Sequence, residues 1–247
     1  MTQRYKATIA YDGAAYAGWQ VQPGQCTVQG ECERVLHEIT RESIRVHSSG
    51  RTDSGVHARA QVAHFDLSSK VTPGKFKLSL NALLDDDIRV TSLAPVSSSF
   101  HARFSAVKKE YRYFIWNNRI VPPHLRRYRL QFSRGLDIDK MRRAAARLVG
   151  HHDFESFCSH RGKADENTVR NLLELNVRKK GNEFTIIAVS EGFLYKMVRS
   201  LAGFLLRVGS GRIPVEETDD ILNARVRNEL IPSAKPHGLF LWKVSYR

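Results

Sequence analysis

The segment Ser49-Gly50-Arg51-Thr52-Asp53-Ser54-Gly55-Val56-His57-Ala58 concentrates the side chains best suited to chemistry. A carboxylate stands between a guanidinium and an imidazole, and two glycines let the backbone turn tightly and approach a ligand. Asp53 in such a loop is either a nucleophile or base aimed at a substrate, or a turn residue bonded to nearby backbone N–H groups. Gly50 and Gly55 have the gap of a phosphate-binding P-loop. Val56 and His57 follow where Lys and Ser/Thr are required, so an NTPase reading fails. No GxGxxG follows a strand-like run. The histidines include no HExxH, and His151-His152-Asp153 is adjacent rather than helically spaced, which argues against a metal site. No Gly-x-Ser-x-Gly elbow marks a serine nucleophile.

The elements around this loop follow from periodicity. Residues 4–11 alternate like a strand, and residues 27–41 place Val28, Cys32, Val35, Leu36 and Ile39 on one helical side. Strands over 44–48 and 60–67 bracket the loop. Thr72-Pro73 has the pattern of an N-cap with Pro at the first helical position, and Phe76, Leu80, Leu83 and Leu84 supply the stripe behind it. A strand over 88–96 completes a β-α-β-β-α-β order. The second half resembles it. A β-prone run covers 109–116, a helix 137–149 ends at Gly150, and a hairpin joins 169–179 to 183–190 around Lys180-Gly181-Asn182. Helices near 194–208 and 215–224 and a strand over 239–246 close the chain. The expected fold class is α+β: two ferredoxin-like halves, 1–105 and 106–247, with mainly antiparallel sheets joined around a central cleft.

Charge narrows the partner. Lys plus Arg is 39 and Asp plus Glu is 25, a net charge of +14 over 247 residues. Each Lys or Arg that meets a phosphate releases a condensed counterion, so the excess favours nucleic acid. An anionic membrane surface is the second candidate. It lacks the required helix, because 137–149 carries Lys140, Arg142, Arg143 and Arg147 opposite mostly alanine. Cys26, Cys32 and Cys158 form no framework spacing and read as free thiols of a reducing compartment. The first residues lack the apolar run of a signal peptide, and no stretch has the length of a membrane span. A cytoplasmic protein is expected.

The Gly50–Ala58 segment resembles the signature of the TruA family of tRNA pseudouridine synthases, Gly-Arg-Thr-Asp-Ala/Ser-Gly-Val-His-Ala. The resemblance extends along almost the whole chain. It includes Tyr11-Asp12-Gly13 with Tyr16, Gly18, Trp19 and Gln20, then Phe100-His101-Ala102-Arg103-Phe104 and Lys109-Glu110-Tyr111-Arg112-Tyr113. Phe193-Leu194-Tyr195-Lys196-Met197-Val198-Arg199 and Pro236-His237-Gly238-Leu239-Phe240-Leu241 continue it. The resemblance implies the pseudouridine synthase fold and isomerisation of uridine at positions 38, 39 and 40 of the tRNA anticodon arm. It also implies a homodimer that uses no cofactor and no metal. By the same resemblance, Asp53 is the catalytic aspartate and Arg199 its partner. Tyr111 stacks on the target base, Leu239 lines the pocket, and Arg51 helps hold the nucleotide out of its stack. Ser54, Lys196 and Ser200 depart from the usual Ala, His or Gln, and Asn; the last two border the pocket helix, where substrates are selected.

These residues suit the reaction. The N-glycosidic bond breaks, the uracil turns, and a bond forms through C5, with nothing oxidised and no group imported. Asp53 has three routes open to it: attack on C1′, addition to C6, or removal of a proton at C2′. Tyr111 has a second role available, taking the C5 proton at the end. Arg199 sits among Met197, Val198, Leu201 and Phe204, where a buried arginine needs a carboxylate; the alternative is that its head reaches solvent. His57 reads as a structural residue that closes the loop. Two other functions compete. A non-catalytic RNA-binding module fits the charge and aromatics but leaves a carboxylate unexplained in a loop meant to meet phosphate. A hydrolase using Asp53 lacks a second carboxylate motif to activate water.

Overall fold

A computed structural model describes residues 2–159 and 167–247. It divides into two compact units, Met1–Val107 with Phe240–Arg247, and Lys108–Leu239.

The first unit runs β1 (Gln3–Tyr11), α1 (Val28–Thr40), β2 (His47–Ser48), β3 (His57–Leu67), α2 (Pro73–Leu83) and β4 (Ile88–Val96). Strand β1 is central, antiparallel to β3 on one side and β4 on the other, and β2 pairs antiparallel with β3. The spatial order is therefore β4-β1-β3-β2, a split β-α-β arrangement. Tyr5, Ala7, Ile9 and Tyr11 alternate onto the face that buries Val35, Leu36, Phe76 and Leu80 of the two helices. Thr27 caps α1 through its hydroxyl, which accepts from the Gly30 amide at 3.2 Å.

Some local expectations change here. Thr72 precedes α2 with Pro at its start, but its side chain makes no capping bond. Leu83 is 40 % exposed while Leu84 is buried, because the helix ends between them and the chain turns extended at Leu84. Strand pairing before the loop is confined to His47–Ser48, and β3 begins three residues earlier than periodicity suggests. His57 and Ala58 thus belong to a strand rather than to the loop.

The second unit contains β5 (Ala106–Trp116, from Lys108), β6 (Leu130–Gln131), α3 (Ile138–Arg147), β7 (Gly150–Asp153), β8 (Val169–Lys180), β9 (Glu183–Ser190), α4 (Met197–Gly209) and α5 (Thr218–Asn223). The order is β5-β9-β8-β7, antiparallel throughout, with β6 parallel to the end of β5. Gly181, at φ +60, makes the β8–β9 turn. Helix α4 is buried along nearly its whole length and packs Leu201, Phe204 and Leu205 into the core with Met141 and Ala145 of α3. It starts at Met197 because Lys196 is left-handed, φ 58, an uncommon conformation for a residue with a Cβ. The shorter C-terminal helix is a 3-10 turn at Val215–Glu217 followed by α5.

The last strand, β10 (Leu239–Tyr246), differs from the expected 1–105 and 106–247 division. Phe240–Arg247 groups with the first unit, because Phe240 and Leu241 pair in parallel with His57 and Ala58 of β3. Arg59 stacks over Trp242 at 4.6 Å, and the Tyr246 hydroxyl donates to the Ala102 carbonyl at 2.7 Å.

Candidate active site

The loop between β2 and β3 is held at nearly every residue. The Ser49 amide donates to Val62 O at 2.8 Å and its hydroxyl to Gln61 Oε1 at 2.7 Å; Gln61 in turn donates to Gly50 O at 2.9 Å. The Thr52 hydroxyl is 2.8 Å from that of Tyr11, both buried, and burial pushes the Tyr11 phenol well above its ordinary range. Asp53 begins a turn closed by the Val56 amide on Asp53 O at 3.1 Å, with Gly55 at φ +74 in the third position, as a type II turn requires. The Ser54 hydroxyl donates to Tyr16 O. Asp53 is thereby carried, half-buried, on a backbone that has little freedom to move.

Residues 12–20 brace that turn from outside. A Cβ on Gly13 would lie 2.0 Å from Val56 O, and one on Gly18, at φ +98, 2.6 Å from Thr52 O. Only glycine permits so close an approach. His57 is fully buried, with Nδ1 3.0 Å from both the Gly13 amide nitrogen and an Asp12 carboxylate oxygen, and its ring stacks on Phe240 at 4.6 Å. It ties the loop, the brace and the last strand together, in keeping with a structural role. Arg51 is exposed and its Nε donates to Gln20 Oε1 at 3.1 Å.

Arg51 and Asp53 belong to the first unit; Tyr111, Arg199 and Leu239 belong to the second. Tyr111 is buried on β5 beside Ala188 of β9 and meets Phe193 edge-on at 5.1 Å. Tyr113, two residues on and on the same face, is fully buried and donates to Lys235 O at 2.7 Å. Burial raises the Tyr113 phenol, and the nearby Arg199 charge opposes that shift. Leu239 is buried, and the preceding Gly238 lies so close to β5 that a Cβ would meet Phe114 O at 2.8 Å. Arg199 is not a side chain that merely extends to water. Its Nε donates to Ala234 O at 2.8 Å, while the Ala234 amide donates back to Arg199 O at 2.9 Å. The segment after residue 231 therefore seats Arg199 on α4.

That seat depends on Arg227, which no motif or spacing marks. Its guanidinium reaches Cys158 O at 3.3 Å, Ser200 Oγ at 2.8 Å, Ile231 O at 3.0 Å and Ser233 Oγ at 3.0 Å. Burial lowers its pKa. It thus joins α4 next to Arg199 with the strand of chain next to Ala234. Ser200, where the resemblance leads one to expect Asn, is one of its partners.

A family profile described as tRNA pseudouridine synthase matches residues 7–105 and 144–247. The chain belongs to the tRNA pseudouridine synthase family. It is 45 % identical over 246 residues to tRNA pseudouridine synthase A of Listeria monocytogenes, covering 98 % of this chain and 99 % of that protein. The protein of that name from Bacillus subtilis is also 45 % identical over 246 residues, with the same coverage. The one from Brevibacillus brevis is 44 % identical over 244 residues, covering 99 % and 100 %. Membership of this synthase family makes the chemistry an isomerisation of uridine in tRNA. Among the described residues no helix is long and apolar enough to cross a membrane.

Proposed function

We propose that this chain converts uridine to pseudouridine at positions 38, 39 and 40 in the anticodon arm of tRNA, with Asp53 as the catalytic carboxylate. The observation that carries the reading is the rigid presentation of Asp53. A carboxylate fixed on a turn that is bonded on both sides and packed against glycines needs little reorganisation at the moment of reaction. Extracting a paired uridine costs a few kcal/mol. Stacking on Tyr111 offsets about 1–3 kcal/mol of this, and Arg51 helps hold the nucleotide out of its stack. Arg199 keeps Asp53 ionised where water is excluded, and Leu239 supplies the apolar wall.

The reaction balances without any further reactant. The C1′–N1 bond breaks, N1 is protonated, the C1′–C5 bond forms, and the C5 proton departs. Asp53 serves this sequence by attacking C1′, by adding to C6, or by deprotonating C2′. Tyr111 also receives the C5 proton at the end. The enzyme works in the cytoplasm as a homodimer, in which one subunit steadies the tRNA that the other modifies.

The test is tritium release from tRNA transcribed with uracil labelled at C5, incubated without metal or cofactor, for the wild type and Asp53→Asn. Release by the wild type alone supports the reading, and mapping the product gives the positions. Equal tRNA binding by both proteins with no release from either would leave an RNA-binding module in its place.

A further inference from the structure

A groove of about 270 Å³ opens on the second unit, between β6, the C-terminal part of α4 and the segment from Pro232 to Lys235. Its floor is apolar, with Phe132, Leu206 and Pro232. Its rim carries Arg207, Arg212 and Lys235, and among the described residues no acidic one lines it. Among the described residues none of these three cations has a carboxylate within ion-pairing distance. The contrast with α3 is informative. There Lys140, Arg142 and Arg147 face Asp137, Asp139 and Asp219, so most of that basic helix face is neutralised locally. Three cations of the second unit without such partners thus border a concave apolar floor.

Resting on the function proposed above, we propose that this groove binds the tRNA strand beside the target uridine: phosphates on Arg207 and Lys235, and a nucleobase against Phe132. The groove shares a wall with the seat of Arg199. Ala234 lines it and exchanges two hydrogen bonds with Arg199. Arg199 and Arg207 lie eight residues apart on α4, a rise of about 12 Å, within the span of an extended RNA strand. A cation at Arg207 also suits the carboxyl end of a helix. That accounts for one of the three charges, and it explains neither the concave apolar floor nor the absence of acids. An apolar floor holding one aromatic ring, with a basic rim, suits single-stranded RNA through stacking and phosphate contact.

The groove also exists because Gly203 lets Pro232 touch α4, since a Cβ there would lie 1.8 Å from Pro232 O. The walls are thus set by backbone packing, and removing the rim charges leaves them intact.

The experiment compares the wild type with the Arg207→Gln/Lys235→Gln double variant, using an unmodified tRNA transcript and filter binding over a range of salt. Each phosphate contact contributes about 0.7–1 to the slope of log Kd against log salt, so the double variant is expected to be shallower by about 1.5–2. In tritium release the loss appears as a several-fold rise in KM. A Lys75→Gln/Lys180→Gln variant, which removes the same charge elsewhere, sets the background. An unchanged slope, or a change no larger than that background, overturns the proposal. So does a shift in oligomeric mass of the double variant, which would make the groove a contact between two copies of the chain. A wild type that binds tRNA but releases no tritium defeats the catalytic reading and leaves the salt slope as an independent measure of the groove.

Discussion

Replacing Gly203 by alanine sets two effects of opposite sign against each other. Glycine in the middle of a helix costs about 1 kcal/mol relative to alanine, so propensity alone predicts that Gly203→Ala stabilises α4. The tertiary structure predicts the reverse. The new methyl carbon would lie 1.8 Å from Pro232 O and 2.9 Å from its carbonyl carbon, whereas real Cβ atoms essentially never come within 3.0 Å of a neighbour. The obstacle is backbone, so the 232–234 segment must retreat by about 1 Å or more. That retreat strains the reciprocal bonds between Ala234 and Arg199, one of which is charge-assisted. Their loss costs about 2–3 kcal/mol, and overpacking adds about 1 kcal/mol or more. The steric term wins, leaving a net destabilisation of about 2–3 kcal/mol. For a chain of this size that lowers Tm by roughly 4–12 °C. Because Arg199 loses its seat, kcat for tritium release falls at least tenfold in protein that remains folded. Thermal denaturation followed by circular dichroism, with turnover measured well below Tm, tests both parts. A variant as stable as the wild type and equally active would refute the argument that Pro232 and Ala234 hold Arg199.

Arg227→Lys keeps the charge but cannot span Cys158, Ser200, Ile231 and Ser233 with one ammonium group; Tm is expected to fall by a few degrees, with kcat reduced more than KM changes. His64 accepts the Ala102 amide at 3.1 Å amid Arg4, Lys6, His47, Asp66 and His101, and burial first, then the Arg4 charge, lowers its pKa to about 4. The unfolded chain, with an ordinary value near 6.5, binds the proton first as pH falls. Stability fully present above pH 6.5 is therefore lost between 6.5 and 4, by about 1–2 kcal/mol allowing for solvent screening, and Tm measured across that range checks it. A pH-independent Tm would dismiss the idea. A disulfide reagent is expected to titrate Cys26 in native protein, and Cys32 and Cys158 only on unfolding, because Cys26 is exposed while the other two are buried and the Cys32 thiol is pushed up to about 12. Gly18→Ala places a methyl 2.6 Å from Thr52 O at φ +98 and is expected to lower both Tm and turnover by shifting the Asp53 turn; unchanged turnover would show that the brace does not hold the loop.

Much was written in the order of residues. Alternation at 4–11, the 3.6-residue stripe at 28–39 and the Gly181 turn identify their elements, because a strand or helix buries one face and the pattern of that face is local. The density of polar groups between two glycines marks the loop of Asp53 for the same reason, and the order of motifs along the chain points to the family. Element ends were less legible. Thr72 has the type of a cap without its bond, and His57 reads as loop while it starts β3, since both outcomes depend on partners remote in sequence. Only the tertiary structure assigns Phe240–Arg247 to the first unit, through pairing with a strand about 180 residues earlier. It alone makes glycine indispensable at Gly13 and Gly203, where the obstacles are the carbonyls of Val56 and Pro232. It alone turns Arg227 from one arginine among many into the residue that joins Ser200 to Ser233. Local sequence fixes which face an element buries; what lies against that face is a contact between distant segments, and no periodicity encodes it.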